Sequence, residues 1–146
     1  MVDAHYSDKD ISIYKVKCGP YDNNAYLLVS PTTNDSIIID TPADPGELLR
    51  IAERTNVKVI LITHNHFDHI QGLAEVVSSV QSPVAIAKAD AGALPNAPDR
   101  FLKDGDVITV GAIALRVLST PGHTLGSTCF FVGSHLFSGD TLFPGG

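Results

Sequence analysis

The sequence predicts an α/β fold, and three observations carry the prediction. Ser36–Asp40 and Val57–Ile62 are short, β-branched and apolar at nearly every position, as strands covered on both faces are. Between them Leu48, Ile51, Ala52 and Thr55 recur at i, i+3, i+4, i+7, which is one face of a helix. A second helical pattern (Leu73, Ala74, Val77, Val80) and a further apolar strand (Val84–Ala87) then complete a βαβαβ order.

The elements follow in order. Ile11–Val16 reads as a first strand, apolar at Ile11 and Ile13 and then, after a slip, at Val16. Gly19-Pro20-Tyr21-Asp22 forms a turn into a second strand, Asn23–Val29. The third strand stops at Asp40, and Thr41-Pro42 breaks it. Asp44-Pro45-Gly46-Glu47 opens the first helix, with Asp44 as N-cap and Pro45 at the first helical position. Ala89–Asp104 reads as loop, with at most a short helix near Asp90. Asp106–Val110, Ile113–Leu118, Thr128–Val132 and His135–Phe137 are then short strands between glycine-containing turns. No internal repeat or low-complexity tract interrupts residues 1–146, which read as one domain.

Composition limits the partners. The chain has 146 residues, 44% hydrophobic and 18% charged, with ten Lys and Arg against 16 Asp and Glu. A net charge of −6 without a basic cluster argues against nucleic acid and anionic membranes as partners. No apolar run is long enough for a transmembrane helix, and the first residues lack a secretory pattern, so a cytoplasmic protein is expected. Cys18 and Cys129 stand alone, which leaves no disulfide framework or C-x-x-C pair. Cys129 reads as a small buried strand residue.

The chemistry is concentrated after Val57–Ile62, in Thr63-His64-Asn65-His66-Phe67-Asp68-His69-Ile70-Gln71-Gly72. Three of the chain's six histidines fall in this run. In an extended stretch, residues i and i+2 point the same way, so His64 and His66 can offer two imidazoles to one ion. Asp68 and His69 come as the chain turns into the next helix, where they can face a second ion or the first ion's water. Imidazole with carboxylate suits Zn²⁺, Fe²⁺ or Mn²⁺. His123, in Thr120-Pro121-Gly122-His123-Thr124, and Asp140, in Ser138-Gly139-Asp140-Thr141, each follow a predicted strand, where α/β folds gather ligand groups. His5 belongs to a frayed polar terminus, and His135 reads as a surface residue. Asp40 has two readings: a carboxylate supporting a metal-ligating histidine, or a turn former with Thr41.

These landmarks, in this order, resemble the metallo-β-lactamase superfamily: Asp40 after an early strand, T-H-N-H-F-D-H with Gly72, T-P-G-H-T at His123 and S-G-D-T-L-F at Asp140. The resemblance spans residues 36 to 143. It implies a four-layer αββα sandwich with metals at one edge, whose C-terminal part is missing from this chain. It also implies that His64, His66 and His123 hold a first metal, that Asp68 and His69 hold a second, and that Asp140 bridges the two. The family's second site usually takes one more histidine beyond the bridging aspartate, and none follows Asp140 here. A piece of a longer protein is therefore expected.

Aspartate at 140 resembles the glyoxalase II-like branch, since zinc β-lactamases usually place Cys or Ser there. His66 argues against flavodiiron-type relatives, which carry Glu, and the acidic balance argues against nuclease relatives. The expected function is a metal-dependent hydrolase of a small thioester or related acyl substrate, using one or two Zn²⁺ ions, with Fe²⁺ or Mn²⁺ as alternatives. Water whose pKa the metal lowers would attack the acyl carbonyl, with Asp68 orienting it or taking its proton. The rival readings are a mononuclear iron persulfide dioxygenase, using His64, His123 and Asp140, and a lactonase. A non-catalytic interaction module is the rival for the fragment alone. A half-finished sandwich also leaves apolar surface that a homo-oligomer would cover.

Overall fold

The computed structural model describes residues 4–20, 23–122 and 124–138, together with the backbone of 142–144. Two sheets lie face to face. The first contains β1 (Tyr6–Ser7), β2 (Ser12–Cys18), β3 (Asn23–Val29), β4 (Asp35–Ile39), β5 (Asn56–Leu61), β6 (Val84–Ala87) and β7 (Arg100–Leu102), side by side in chain order. Pairing is antiparallel from β1 to β4 and parallel from β4 to β7. The second sheet is an antiparallel meander of β8 (Val107–Val110), β9 (Ile113–Ser119), β10 (Thr128–Val132), β11 (His135–Phe137) and β12 (Leu142–Pro144). Helices α1 (Gly46–Ala52), α2 (Phe67–Ile70) and α3 (Leu73–Val80) make the parallel crossovers, and a 3₁₀ turn spans Lys88–Ala93.

Alternation along the strands builds two cores from one sheet. Tyr26 and Leu28 of β3, with Ile37 and Ile39 of β4, meet Leu115, Val117, Phe130 and Phe137 of the second sheet. Their neighbours Ala25, Leu27, Val29 and Ile38 pack instead against Leu48 and Ala52 of α1 and Leu73 and Val76 of α3. Ala25–Val29 of β3 and Ile37–Ile39 of β4 are therefore apolar and buried on both faces, the latter as predicted, whereas β5 exposes Lys58 and is fully buried only at Ile60 and Leu61. The second sheet alternates cleanly: Ile108 and Val110 point inward, whereas Val107 is 50% exposed. Among the described residues the layers run helix, sheet, sheet, which are three of the four predicted layers. Truncating Phe130, fully buried between the sheets, is expected to cost about 3–5 kcal/mol in urea denaturation of a Phe130→Ala protein.

Several local expectations change. The slip in the first strand is not a break, because β2 pairs with β3 in unbroken register from Ser12 to Cys18. What changes is the cover. Ile11 and Ile13 face the second sheet, while Val16 and Cys18 face the helices. Asp44 is not the N-cap of α1; Pro45 holds that position, no side chain caps it, and Asp44 adopts φ 54°. The expected frayed terminus contains β1, whose Tyr6 pairs with Ile13. Within the expected loop 89–104, Arg100–Leu102 adds β7 to the parallel edge, seated by Val84 N donating to Asp99 Oδ2 at 2.9 Å. A three-residue strand leaves no periodicity to read. His135 is buried rather than on the surface, with its ring 4.3 Å from that of Tyr6, because β1 folds over it. Cys129 is partly exposed rather than buried. Among the described residues, no helix is long and apolar enough to cross a membrane.

Candidate metal centre

The parallel strands β4 and β5 end side by side, and Asp40 N donates to Leu61 O at 2.8 Å. This sets the residues that follow each strand, Asp40 and Thr63, against one another at the carboxyl edge of the sheet, where α/β folds place their sites. Asp40 is wholly buried and has φ 65°, a left-handed conformation that Asp and Asn reach more readily than other side chains besides glycine.

Its carboxylate organises the motif. Oδ1 accepts from Thr63 N at 2.8 Å; Oδ2 accepts from the Thr63 hydroxyl at 2.8 Å and from His69 Nδ1 at 3.0 Å. Because the Thr63 hydroxyl gives its one proton to Asp40, its 2.9 Å contact with His64 Nδ1 requires His64 to donate. One carboxylate thus assigns the tautomer of two imidazoles, His69 directly and His64 through Thr63. Both carry a proton on Nδ1, which leaves Nε2 as the atom to offer a lone pair when the ring is neutral. The supporting reading of Asp40 is the one its contacts match; its side chain is not spent on a turn with Thr41.

The three rings of the motif converge. His64 and His69 have centroids 4.2 Å apart, and His64 and His66 have centroids 4.9 Å apart. His64 and His69 are buried, while His66, at the N-cap of α2, is half-buried. Asp68 lies in the first turn of α2 with its side chain 40% exposed and Oδ2 3.9 Å from His69 Nε2. Asn23, at the start of β3, donates from Nδ2 to both Asp68 Oδ2 and Asp68 O at 3.2 Å, fixing the carboxylate to the turn that carries it. Thr128 N donates to Thr63 O at 2.8 Å, which joins the second sheet to the same edge.

His64, His66, Asp68 and His69 are therefore brought together. His123 and Asp140 lie outside the described residues. Among the described residues, no three His, Cys, Asp or Glu side chains stand in metal-holding geometry. A cleft of about 360 Å³ opens beside His64 towards the second sheet, lined by Thr120, Ser127, Thr128 and Cys129 among others. A larger hollow of about 560 Å³ lies on the helical side between Tyr14 and Arg54, away from the histidines, and carries none of this chemistry. Cys18 is buried, and that burial, with Asp44 nearby, pushes its thiol up to about 11.

The profile of the metallo-beta-lactamase superfamily matches residues 18–146, most of the chain. The chain belongs to that superfamily. Its sequence is similar to the hydroxyacylglutathione hydrolase of Idiomarina loihiensis, 35% identical over 131 residues, covering 86% of this chain and 49% of that one. It is 40% identical over 138 residues to the hydroxyacylglutathione hydrolase-like protein of Gallus gallus, covering 86% and 46%. The chain thus spans about half the length of the curated relatives it matches. Among solved structures it superposes on BLEG-1, a B3 metallo-beta-lactamase, with TM-score 0.80 and 27% identity, over 90% of this chain and 73% of that one. In superfamily terms, the residues sequence reasoning left without a role are Thr63, Asn23 and Asp90. Thr63 was visible inside the motif. Asn23 and Asp90 act on residues 45 and 25 positions away, and no local signal marks them.

Proposed function

We propose that this chain carries the metal-binding residues of a hydrolase that acts on a small thioester or related acyl compound, as the names of its hydroxyacylglutathione hydrolase relatives indicate for those proteins. The observation that carries the reading is the convergence of the His64, His66 and His69 rings with Asp68 beside His69, two of those rings being held, directly or through Thr63, by the buried Asp40 carboxylate. Two imidazoles held by Nδ1–H, with Nε2 left to offer a lone pair, next to a carboxylate, form a donor set that fits Zn²⁺, with Fe²⁺ and Mn²⁺ as the alternatives. We assign His64, His66 and His123 to one ion, Asp68 and His69 to a second, and Asp140 to both.

When bound, the metal supplies Lewis acidity and lowers the pKa of water towards about 7. The protein's part is orientation. Asp40 holds His69 by its Nδ1–H and, through Thr63, holds His64 by the same atom, so neither ring can turn without losing a buried hydrogen bond. Asn23 fixes Oδ2 of the partly exposed Asp68, which is the residue we assign to orient the attacking water or take its proton. The described residues contain no strand–turn–helix serine nucleophile of the G-x-S-x-G kind, and none is needed.

Native mass spectrometry of the protein tests the reading. Two zinc ions per chain together with thioester hydrolysis would support it; one iron with oxygen consumption would replace it with the dioxygenase reading. His66→Ala should lower metal content and reduce hydrolysis by at least about 100-fold, given that loss of even a residue that supports a ligand commonly costs 10–100-fold. An unchanged rate would remove His66 from the site.

A further inference from the structure

Asp90 is an acidic residue only 1% exposed, on the 3₁₀ turn after β6, with three hydrogen-bond donors around its carboxylate. Oδ2 accepts from Asn65 N at 3.0 Å and from Thr124 Oγ1 at 2.6 Å, and Oδ1 accepts from Gly126 N at 2.8 Å. All three donors belong to two loops. Asn65 lies between His64 and His66, and Thr124 and Gly126 lie just beyond His123. The fit is close: a Cβ on Gly126 would stand 2.6 Å from Asp90 Cγ and 2.7 Å from Oδ1, so no side chain is tolerated there without displacing the carboxylate. The second loop is also braced internally. Ser127 Oγ accepts from Thr124 N at 2.9 Å and stands 2.9 Å from Thr124 Oγ1. Since Thr124 gives its hydroxyl proton to Asp90, Ser127 must donate in that second contact.

We propose that Asp90 is a positioning residue for the metal centre: one buried carboxylate clamps the loop between His64 and His66 to the loop that carries His123. It sets where the backbone between His64 and His66 stands against the second sheet, and so how those two imidazoles are presented to a divalent cation. The inference rests on the metal-binding reading above. A carboxylate is suited to the task because it accepts from a backbone N–H of each loop and from a hydroxyl at once, with no donor of its own to repel them. Its three donors lie 25, 34 and 36 residues away, so the clamp joins parts of the chain that no single element connects.

Zn²⁺ affinity of the metal-free protein, by chelator competition, and the visible spectrum of the Co²⁺-loaded protein test this. Asp90→Asn keeps the volume but turns one acceptor into a donor. It should weaken Zn²⁺ binding by about 10–100-fold and alter the Co²⁺ bands, with unchanged far-ultraviolet circular dichroism. Thr124→Val removes one donor without changing shape and should shift both readouts in the same direction by less; Thr124→Ser should restore them. If both variants bind Zn²⁺ within twofold of the parent and give its Co²⁺ spectrum, Asp90 is a fold staple only and the proposal is wrong. Should Asp90→Asn fail to fold, the Thr124 pair decides by the same criteria. A parent protein that binds neither metal overturns the functional reading itself, and this inference with it.

Discussion

Replacing Asp40 by asparagine is expected to lower Zn²⁺ affinity by about 10–100-fold and to destabilise the metal-free fold by about 2–3 kcal/mol. Asparagine is the informative substitution because it reaches the φ of 65° that the position requires, so backbone strain does not enter the result. What changes is hydrogen bonding. Asp40 accepts from three donors in a site closed to water: Thr63 N, the Thr63 hydroxyl and His69 Nδ1. An amide offers one acceptor oxygen and two new N–H groups, so at least one buried donor loses its partner or faces another donor. His69 can recover a bond by moving its proton to Nε2 and accepting from the amide, but that protonates the atom nearest Asp68 Oδ2, at 3.9 Å. The affinity loss follows from that tautomer exchange. Chelator competition measures it, and urea denaturation without metal measures the stability term. Parent-like values in both would show that the carboxylate does not organise the histidines.

Gly72→Ala should destabilise the protein by about 3 kcal/mol, the upper part of the usual range for an overpacked site. Backbone conformation is not the reason, since Gly72 has φ −95° and ψ 5°, which alanine adopts freely. Space is the reason. An added Cβ would run into the carbonyl oxygen of Pro42, with Pro42 C at 3.1 Å and Thr41 O at 3.2 Å, all backbone atoms that cannot swing aside. Two hydrogen bonds lock this approach: Gly72 N to Thr41 O at 2.8 Å and Thr41 N to His69 O at 3.0 Å. Relief of the clash must therefore move His69 relative to Asp40, coupling stability to the site. For a chain of this length the loss corresponds to a fall in Tm of roughly 6–12 °C. Gly46→Ala is the matched comparison, because nothing lies within 4 Å of its added Cβ. Equal melting temperatures for the two variants would refute the packing argument.

Much of the fold was legible because burial on both faces leaves a direct mark. Ile37, Ile38 and Ile39 are apolar in succession because alternate side chains enter different cores, and that run is readable without coordinates. The same logic misled at β2, where a change in which face is covered looked like a slip in the strand. It was silent at β7, which is three residues long and depends on Asp99. His135 was misjudged because its cover, Tyr6, comes from the far end of the chain.

The T-H-N-H-F-D-H run on its own determined which side chains could meet, three imidazoles and a carboxylate, because i, i+2 alternation and a following helix turn are local geometry. Together with Asp40 and the motifs at His123 and Asp140, it also indicated the superfamily. Tertiary structure alone decided how those atoms are held. Asp40, 23 residues before Thr63 and 29 before His69, reaches both because parallel strands β4 and β5 end together. Asp90 reaches the motif loop and the loop around residue 124 because the two sheets close at one edge. A hydrogen bond records only distance and angle, so partners brought together by strand order leave no spacing in the sequence from which to read them.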